Sequence, residues 1–210
     1  MAITAAPVPV SAQSADSTLD RAVAAYATVK TARIAFTQTI DNALTGSTVE
    51  SRGELQQRRP SRFAVNFAEP AGDRIVSDGK YVWVYLPSTN PGQVIRAKLG
   101  AEAGAPDFAA QFLESPRKSY TVSGGSAATI DGAATHSVVL MPKSAESPFQ
   151  KVTLWVNDSD ALLRRVETVD QSGVVRRITV TKFGKNAPVD ANAFVFHVPA
   201  GVKVYDGPAS

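Results

Sequence analysis

The 210-residue sequence predicts a mainly β, α+β fold: a single antiparallel sheet, strongly curved or partly closed, preceded by one helix and interrupted by another. Three observations predict it. About a dozen short stretches alternate apolar and polar side chains with the period of two that a half-buried strand requires. The segments between them are turn chemistry, as in "EPAGD", "SDGK" and "PSTNPGQ". Only two stretches follow helical spacing. No internal repeat or linker divides the chain, and its length suits one core better than two. Residues 18–210 are therefore read as one domain.

The chain opens with MAITAAPVPVSAQSA, and no Lys or Arg precedes Arg21. The positive front of a signal peptide is missing, and prolines interrupt the apolar run. Residues 1–17 read as a disordered leader or the remnant of a signal. A helix is expected over Thr18 to Lys30, with Asp16 or Ser17 as N-cap and Asp20 completing a capping box. Leu19, Ala22, Val23, Tyr26 and Val29 form its apolar stripe.

From Ala32 the period changes to two. Strands are expected at 32–40, 49–57, 62–67, 74–77, 81–86 and 94–98. After a break they resume at 120–123, 134–141, 150–156, 163–170 and 174–183, and end with 194–198. In "KYVWVYLP" both faces are apolar or amphipathic, so this strand is either covered on both sides or lines a cavity with one of them. The break, roughly 100–116, holds "GAPDFAAQFLESP", which puts Phe108, Phe112 and Leu113 on one helical face. "PVDANAF" at 188–194 suggests a further helical turn.

Composition removes several classes of function. The formal net charge is +3 and the basic residues are scattered, which does not suggest nucleic acid. With no cysteine there is no disulfide, thiolate metal site, cysteine nucleophile or lipid-modified cysteine. His136 and His197 are the only histidines, and neither has a second at metal spacing. There is no nucleophile elbow, phosphate-binding loop or dinucleotide fingerprint, so neither an enzyme nor a cofactor is expected. "NDSDALLRRVE" at 157–167 echoes a calcium loop only faintly and reads as a hairpin turn. The adjacent Arg58 and Arg59 stand at a strand end, where solvated cations are ordinary.

Five pieces nevertheless line up in order: "FTQT" at 36–39, "GEL…RRP" at 53–60, "EP…IVSDGKYVWVY" at 69–85, "LMPK" at 140–143 and "FVFHVPAGV" at 194–202. Together they resemble the LolA family, periplasmic carriers of outer-membrane lipoproteins, over essentially the whole chain after the leader. The sequence departs from the family at Gln56 and Gln57, where an aromatic and an aliphatic residue usually stand. The resemblance implies an unclosed half-barrel whose mouth is covered by helices around an apolar cavity. It implies a monomer that receives lipoproteins from an inner-membrane ABC-type exporter, shields their acyl chains and delivers them to an outer-membrane acceptor lipoprotein. The same fold also serves a carrier of another lipid or pigment, or a lipoprotein-sensing regulator of envelope stress. In the family the arginine before the proline ties the sheet to the helical lid. That position is Arg59, while Arg58 stays a solvated strand end. On the alternation, Phe36, Phe63, Val65, Phe67, Trp83 and Tyr85 are expected to line the cavity, with Phe108, Phe112 and Leu113 from the lid.

Overall fold

A computed structural model describes residues 14–99 and 109–207. Helix α1 (Ala15–Ala27) precedes six strands: β1 (Thr31–Asn42), β2 (Ser47–Arg58), β3 (Arg62–Glu69), β4 (Arg74–Asp78), β5 (Tyr81–Tyr85) and β6 (Gln93–Lys98). Two short helices follow, α2 (Ala110–Leu113) and α3 (Pro116–Ser119). Then come β7 (Tyr120–Ile130), β8 (Ala133–Pro142), β9 (Phe149–Asn157), β10 (Leu163–Asp170) and β11 (Val175–Lys185). A 3-10 helix (Ala191–Phe194) and β12 (Lys203–Asp206) complete the described chain.

All twelve strands form one sheet, in the order β12-β6-β5-β4-β3-β2-β1-β11-β10-β9-β8-β7. Two antiparallel meanders are joined where β1 pairs with β11. The sheet is unclosed, with β12 and β7 as its edges. One pair is parallel, β12 on β6. Register shifts at Ala35/Phe36 and at Arg52/Gly53 bend the central strands. At Gly53 a Cβ would lie 2.4 Å from the Asn66 carbonyl oxygen, so the glycine of "GEL" is required by close approach of β3.

The two faces of the sheet bury different things. The inner face carries Ile34, Phe36, Leu55, Phe63 and Val82 from the first meander and Val138, Leu140, Val152, Leu154 and Val166 from the second. These pack with Leu19, Ala22 and Tyr26 of α1 and with Phe112 and Leu113 of α2 into the main core. The outer face carries a smaller core of Ala64, Val76 and Phe194, flanked by Val189 and Phe196. The 188–198 segment is therefore a cover laid across β3, β4 and β5.

The structure corrects four expectations. Helix α1 begins three residues early: Ser14 is its N-cap, its Oγ accepting from Ser17 N–H at 3.1 Å, so 15–17 are helical. The terminal strand is at Lys203–Asp206, not 194–198. Phe194 and Phe196 alternate because both point down onto the outer face, a face-on packing with no ladder partner, and the helical turn expected at 188–194 is the 3-10 helix. The helix expected at 100–116 is reduced to α2 and α3 within the described residues, and Phe108 lies outside them. Arg58 is not a solvated strand end: its Nη2 donates to the Val189 carbonyl at 3.1 Å and its guanidinium lies 5.6 Å from the Phe194 ring centre.

Candidate functional site

Antiparallel register sets the inner face row by row, because directly paired residues share a face. The row nearest the start of β1 is Ala32, Gln57, Phe63, Ser77 and Val82. The next is Phe183, Ile34, Leu55, Val65, Ile75 and Val84. Below it stand Val180, Phe36, Gly53 and Phe67, where the Phe36 and Phe67 rings meet edge to face at 5.9 Å. Leu154, Val166, Ile178, Gln38 and Ser51 follow, the last two hydrogen-bonded to each other at 3.0 Å. The far row is Val152, Thr168, Arg176, Ile40 and Val49. Polarity thus enters at both ends of a largely apolar trough, with Gln57 and Ser77 in the first row and Gln38, Ser51, Thr168 and Arg176 in the last two.

Helices α1 and α2 lie over that trough. Phe112 of α2 reaches Phe149 at 5.7 Å and Tyr120 at 6.4 Å between ring centres, and burial pushes the Tyr120 phenol above its ordinary pKa. Beneath Phe112 is a cavity of about 380 Å³, bounded by Ile40, Phe149, Val166, Arg176 and Ile178 among others. A second space of about 230 Å³ lies at the seam between Val23 and Tyr26 of α1, Arg59, and Ala110 and Leu113 of α2. Among the described residues no group of three or more His, Asp or Glu could hold a metal ion.

Polar contacts hold α1 at both ends, to the sheet at one and to α3 at the other. No basic residue stands in the last turn of α1, which leaves its negative dipole end uncompensated from within. Arg59 supplies the charge from the end of β2, its Nη1 donating to the Tyr26 carbonyl at 3.0 Å. Asn186, at the end of β11, accepts from Lys30 N–H at 2.8 Å and donates to the Thr28 carbonyl at 3.2 Å. At the other end, Arg117 of α3 reaches Asp20 at 2.6 Å and Asp16 at 2.9 Å, and these hydrogen bonds raise its pKa further. Midway, Arg21 donates to the Asp158 carbonyl at 2.6 Å, and the Asp158 carboxylate meets His136 Nδ1 at 2.7 Å.

Of the expected lining residues, the structure brings Phe36, Phe63, Val65, Phe67, Phe112 and Leu113 together in the inner core. Trp83 and Tyr85 are a correction. Trp83 pairs with Val76 and Arg96, stacks on Phe196 at 5.6 Å and so belongs to the outer face, as does Tyr85, 6.2 Å from the same ring. The alternation of β5 runs in the opposite phase to the one expected: the smaller Val82 and Val84 point inward. Sequence reasoning also missed the whole contribution of β9 to β11. Its signal was present in the alternation of Val152, Leu154 and Val156, but nothing local says which strands share a trough with Phe36.

Related sequences and a similar architecture occur in known proteins. The sequence profile described as "Outer membrane lipoprotein carrier protein LolA" matches residues 27–197. A Methylibium petroleiphilum protein named outer-membrane lipoprotein carrier protein is 33% identical over 178 residues, 85% of this chain and 84% of its own. One of the same name from Methylobacillus flagellatus is 28% identical over 172 residues, 82% and 80% of the two chains. Among solved structures, an uncharacterised conserved protein from Thermus thermophilus superposes with TM-score 0.58 at 16% identity, covering 93% of this chain and all (100%) of the other. A chain of the Pseudomonas aeruginosa MucA/MucB complex does so with TM-score 0.51 at 14% identity, over 91% and 63% of the two chains. These two likenesses concern the fold alone.

Proposed function

The chain belongs to the LolA family of outer-membrane lipoprotein carrier proteins, and from that premise we propose that it carries lipoproteins across the periplasm with their acyl chains held in the inner trough. The observation that carries this reading is an apolar concave face covered by helices rather than by a second sheet. A sheet-on-sheet core cannot open without losing its ladder or half its packing. A helical cover, held by its apolar stripe and a few hydrogen bonds, can be displaced while the ladder of the sheet stays intact.

The physical need is plain. Each buried methylene is worth about 0.8 kcal/mol, so several acyl chains hold a protein to a membrane almost irreversibly. A carrier must offer comparable apolar area and release it on demand. With α2 in its present position the cavity of about 380 Å³ is near the small end of ligand pockets, which run from about 300 to 1,000 Å³. Seating several chains therefore requires α2 to move and the buried Phe36, Phe63, Val65, Phe67, Phe112 and Leu113 to become the lining. Arg59 then acts as the latch between sheet and lid. Cargo is taken from an inner-membrane ABC-type exporter and passed to an outer-membrane acceptor lipoprotein. No bond is made or broken in this work, and the role assigned is not enzymatic.

The test is binding of an environment-sensitive fatty-acyl probe, displaced by a diacylglyceryl lipopeptide. Saturable fluorescence gain at micromolar protein is expected. A flat titration would sink the carrier reading.

A further inference from the structure

We infer that Arg176 reads the head of the acyl chain: its guanidinium holds the ester carbonyl oxygens of a glyceryl-linked lipid at the rim of the cavity. This rests on the carrier reading and adds a specificity-determining residue to it. Arg176 is the cation among the residues lining the cavity beneath Phe112. Register places it on the inner face, between Thr168 and Ile40, one row beyond the apolar Val166 and Ile178. An Arg at an inward register position of an apolar trough is out of pattern for a strand whose inner neighbours are Ile178 and Val180.

The other arginines of β10 and β11 are engaged. Arg177 pairs with Glu167 at 2.7 Å, Arg165 donates to the Thr179 hydroxyl at 3.1 Å and lies over Trp155, and Arg164 pairs with Asp160. Among the described residues the Arg176 side chain makes no hydrogen bond or ion pair, and it is exposed at the mouth. Its five N–H donors are free for a ligand.

The neighbouring charges say what kind. Asp170 lines the same cavity, and its Oδ1 is committed to its own turn, accepting from Ser172 N–H at 2.8 Å, Ser172 Oγ at 2.7 Å and Val174 N–H at 3.0 Å. One guanidinium beside one ionised carboxylate leaves no net charge for an anion. A neutral oxygen acceptor suits the site better than a phosphate. A glyceryl-linked acyl chain has that acceptor at the junction between its apolar tail and its polar head. With the tail running up the trough past Ile178 and Phe36, the ester falls at the Arg176 row.

The experiment compares two lipopeptides of equal chain length, one with diacyl ester linkages and one with dialkyl ether linkages, on the wild-type chain, Arg176→Met and Arg176→Lys. Replacing the carbonyl by a methylene removes the acceptor and leaves the tail unchanged. Wild type is expected to prefer the ester by about tenfold, the advantage of a hydrogen bond to a charged donor. Arg176→Met should lose that preference and bind the ester and ether analogues alike, with a cooperative thermal transition showing that it folds. Arg176→Lys should keep part of it. Equal ester and ether affinities in wild type, or a preference that survives Arg176→Met, overturn the assignment and leave the carrier reading standing. So does tighter binding of an anionic diacyl phosphatidate than of the neutral diester. If wild type binds neither lipopeptide, the carrier reading falls with it.

Discussion

Two adjacent arginines divide between the two faces of the sheet. At the end of β2 successive side chains point oppositely, so Arg59 turns to the lid and Arg58 to the outer cover. Their substitutions should therefore fail in different ways. Arg59→Leu removes a charged donor from the Tyr26 carbonyl, an interaction worth about 1.5–3 kcal/mol. The closed arrangement weakens relative to the open one, so apparent cargo affinity rises and release slows, by roughly ten- to a hundredfold. A transfer assay with loaded carrier and acceptor checks this, and wild-type delivery rates would remove the latch. Arg58→Leu loses the Val189 carbonyl and the Phe194 ring, so its thermal midpoint should fall, by about 2–4 °C for each kcal/mol lost in a chain of this size. Its acyl-probe affinity should hold. The contact of Arg59 with the helical cover was expected only through resemblance. The Arg58 contact was not legible, because Val189 and Phe194 are distant in sequence and their approach depends on the whole sheet.

At the scale of elements, the β4–β5 hairpin explains why "SDGK…W" is an informative stretch. Asp78 Oδ1 accepts from Lys80 N–H at 2.7 Å and Tyr81 N–H at 2.8 Å, and Oδ2 accepts from Trp83 Nε1 at 3.1 Å. Gly79 has φ +95°, a left-handed conformation that a side chain would strain. Partial burial pushes the Asp78 carboxyl up, but the hydrogen bonds from Tyr81, Trp83 and Lys80, with the Lys80 charge, outweigh it and leave the pKa lowered. A carboxyl depressed in the fold stabilises it above the unfolded value near pH 4, and that contribution disappears as pH falls through the folded value. Asp78→Asn should therefore lower the melting midpoint at pH 7, and its deficit against wild type should shrink between pH 5 and pH 3. A deficit independent of pH would mean that the charge is idle. Turn chemistry of this kind is local, which is why the hairpins and most strands were legible. The last strand was not: Phe194 and Phe196 alternate for a face-on cover as well as they would for a strand, and only Lys203–Asp206 finds a free edge on β6.

For the molecule as a whole, the division that matters is inside against outside, and it is the one that alternation alone left open. A strand pattern fixes which residues share a face but not which face is concave. On β1 and β3 the larger residues point inward; on β5 the aromatic residues point out because the 188–198 cover needs Trp83 and Tyr85. The consequence can be measured directly, since the chain has two tryptophans and both face outward. Trp83 is stacked on Phe196, and Trp155 pairs with Ser137 and Arg165 beneath the Arg165 guanidinium. If acyl chains occupy the trough as proposed, the thickness of the sheet separates them from both rings. Bromine on an acyl chain quenches indole fluorescence only at close contact. Brominated acyl ligand should therefore bind, as judged by displacement of the acyl probe, while leaving the intrinsic tryptophan emission nearly unchanged. Phe149→Trp places an indole at the cavity wall at a partly exposed position, and its added emission should be strongly quenched by the same ligand. Quenching of the wild-type tryptophans would put the lipid on the outer face, and an unquenched Phe149→Trp would remove it from the cavity.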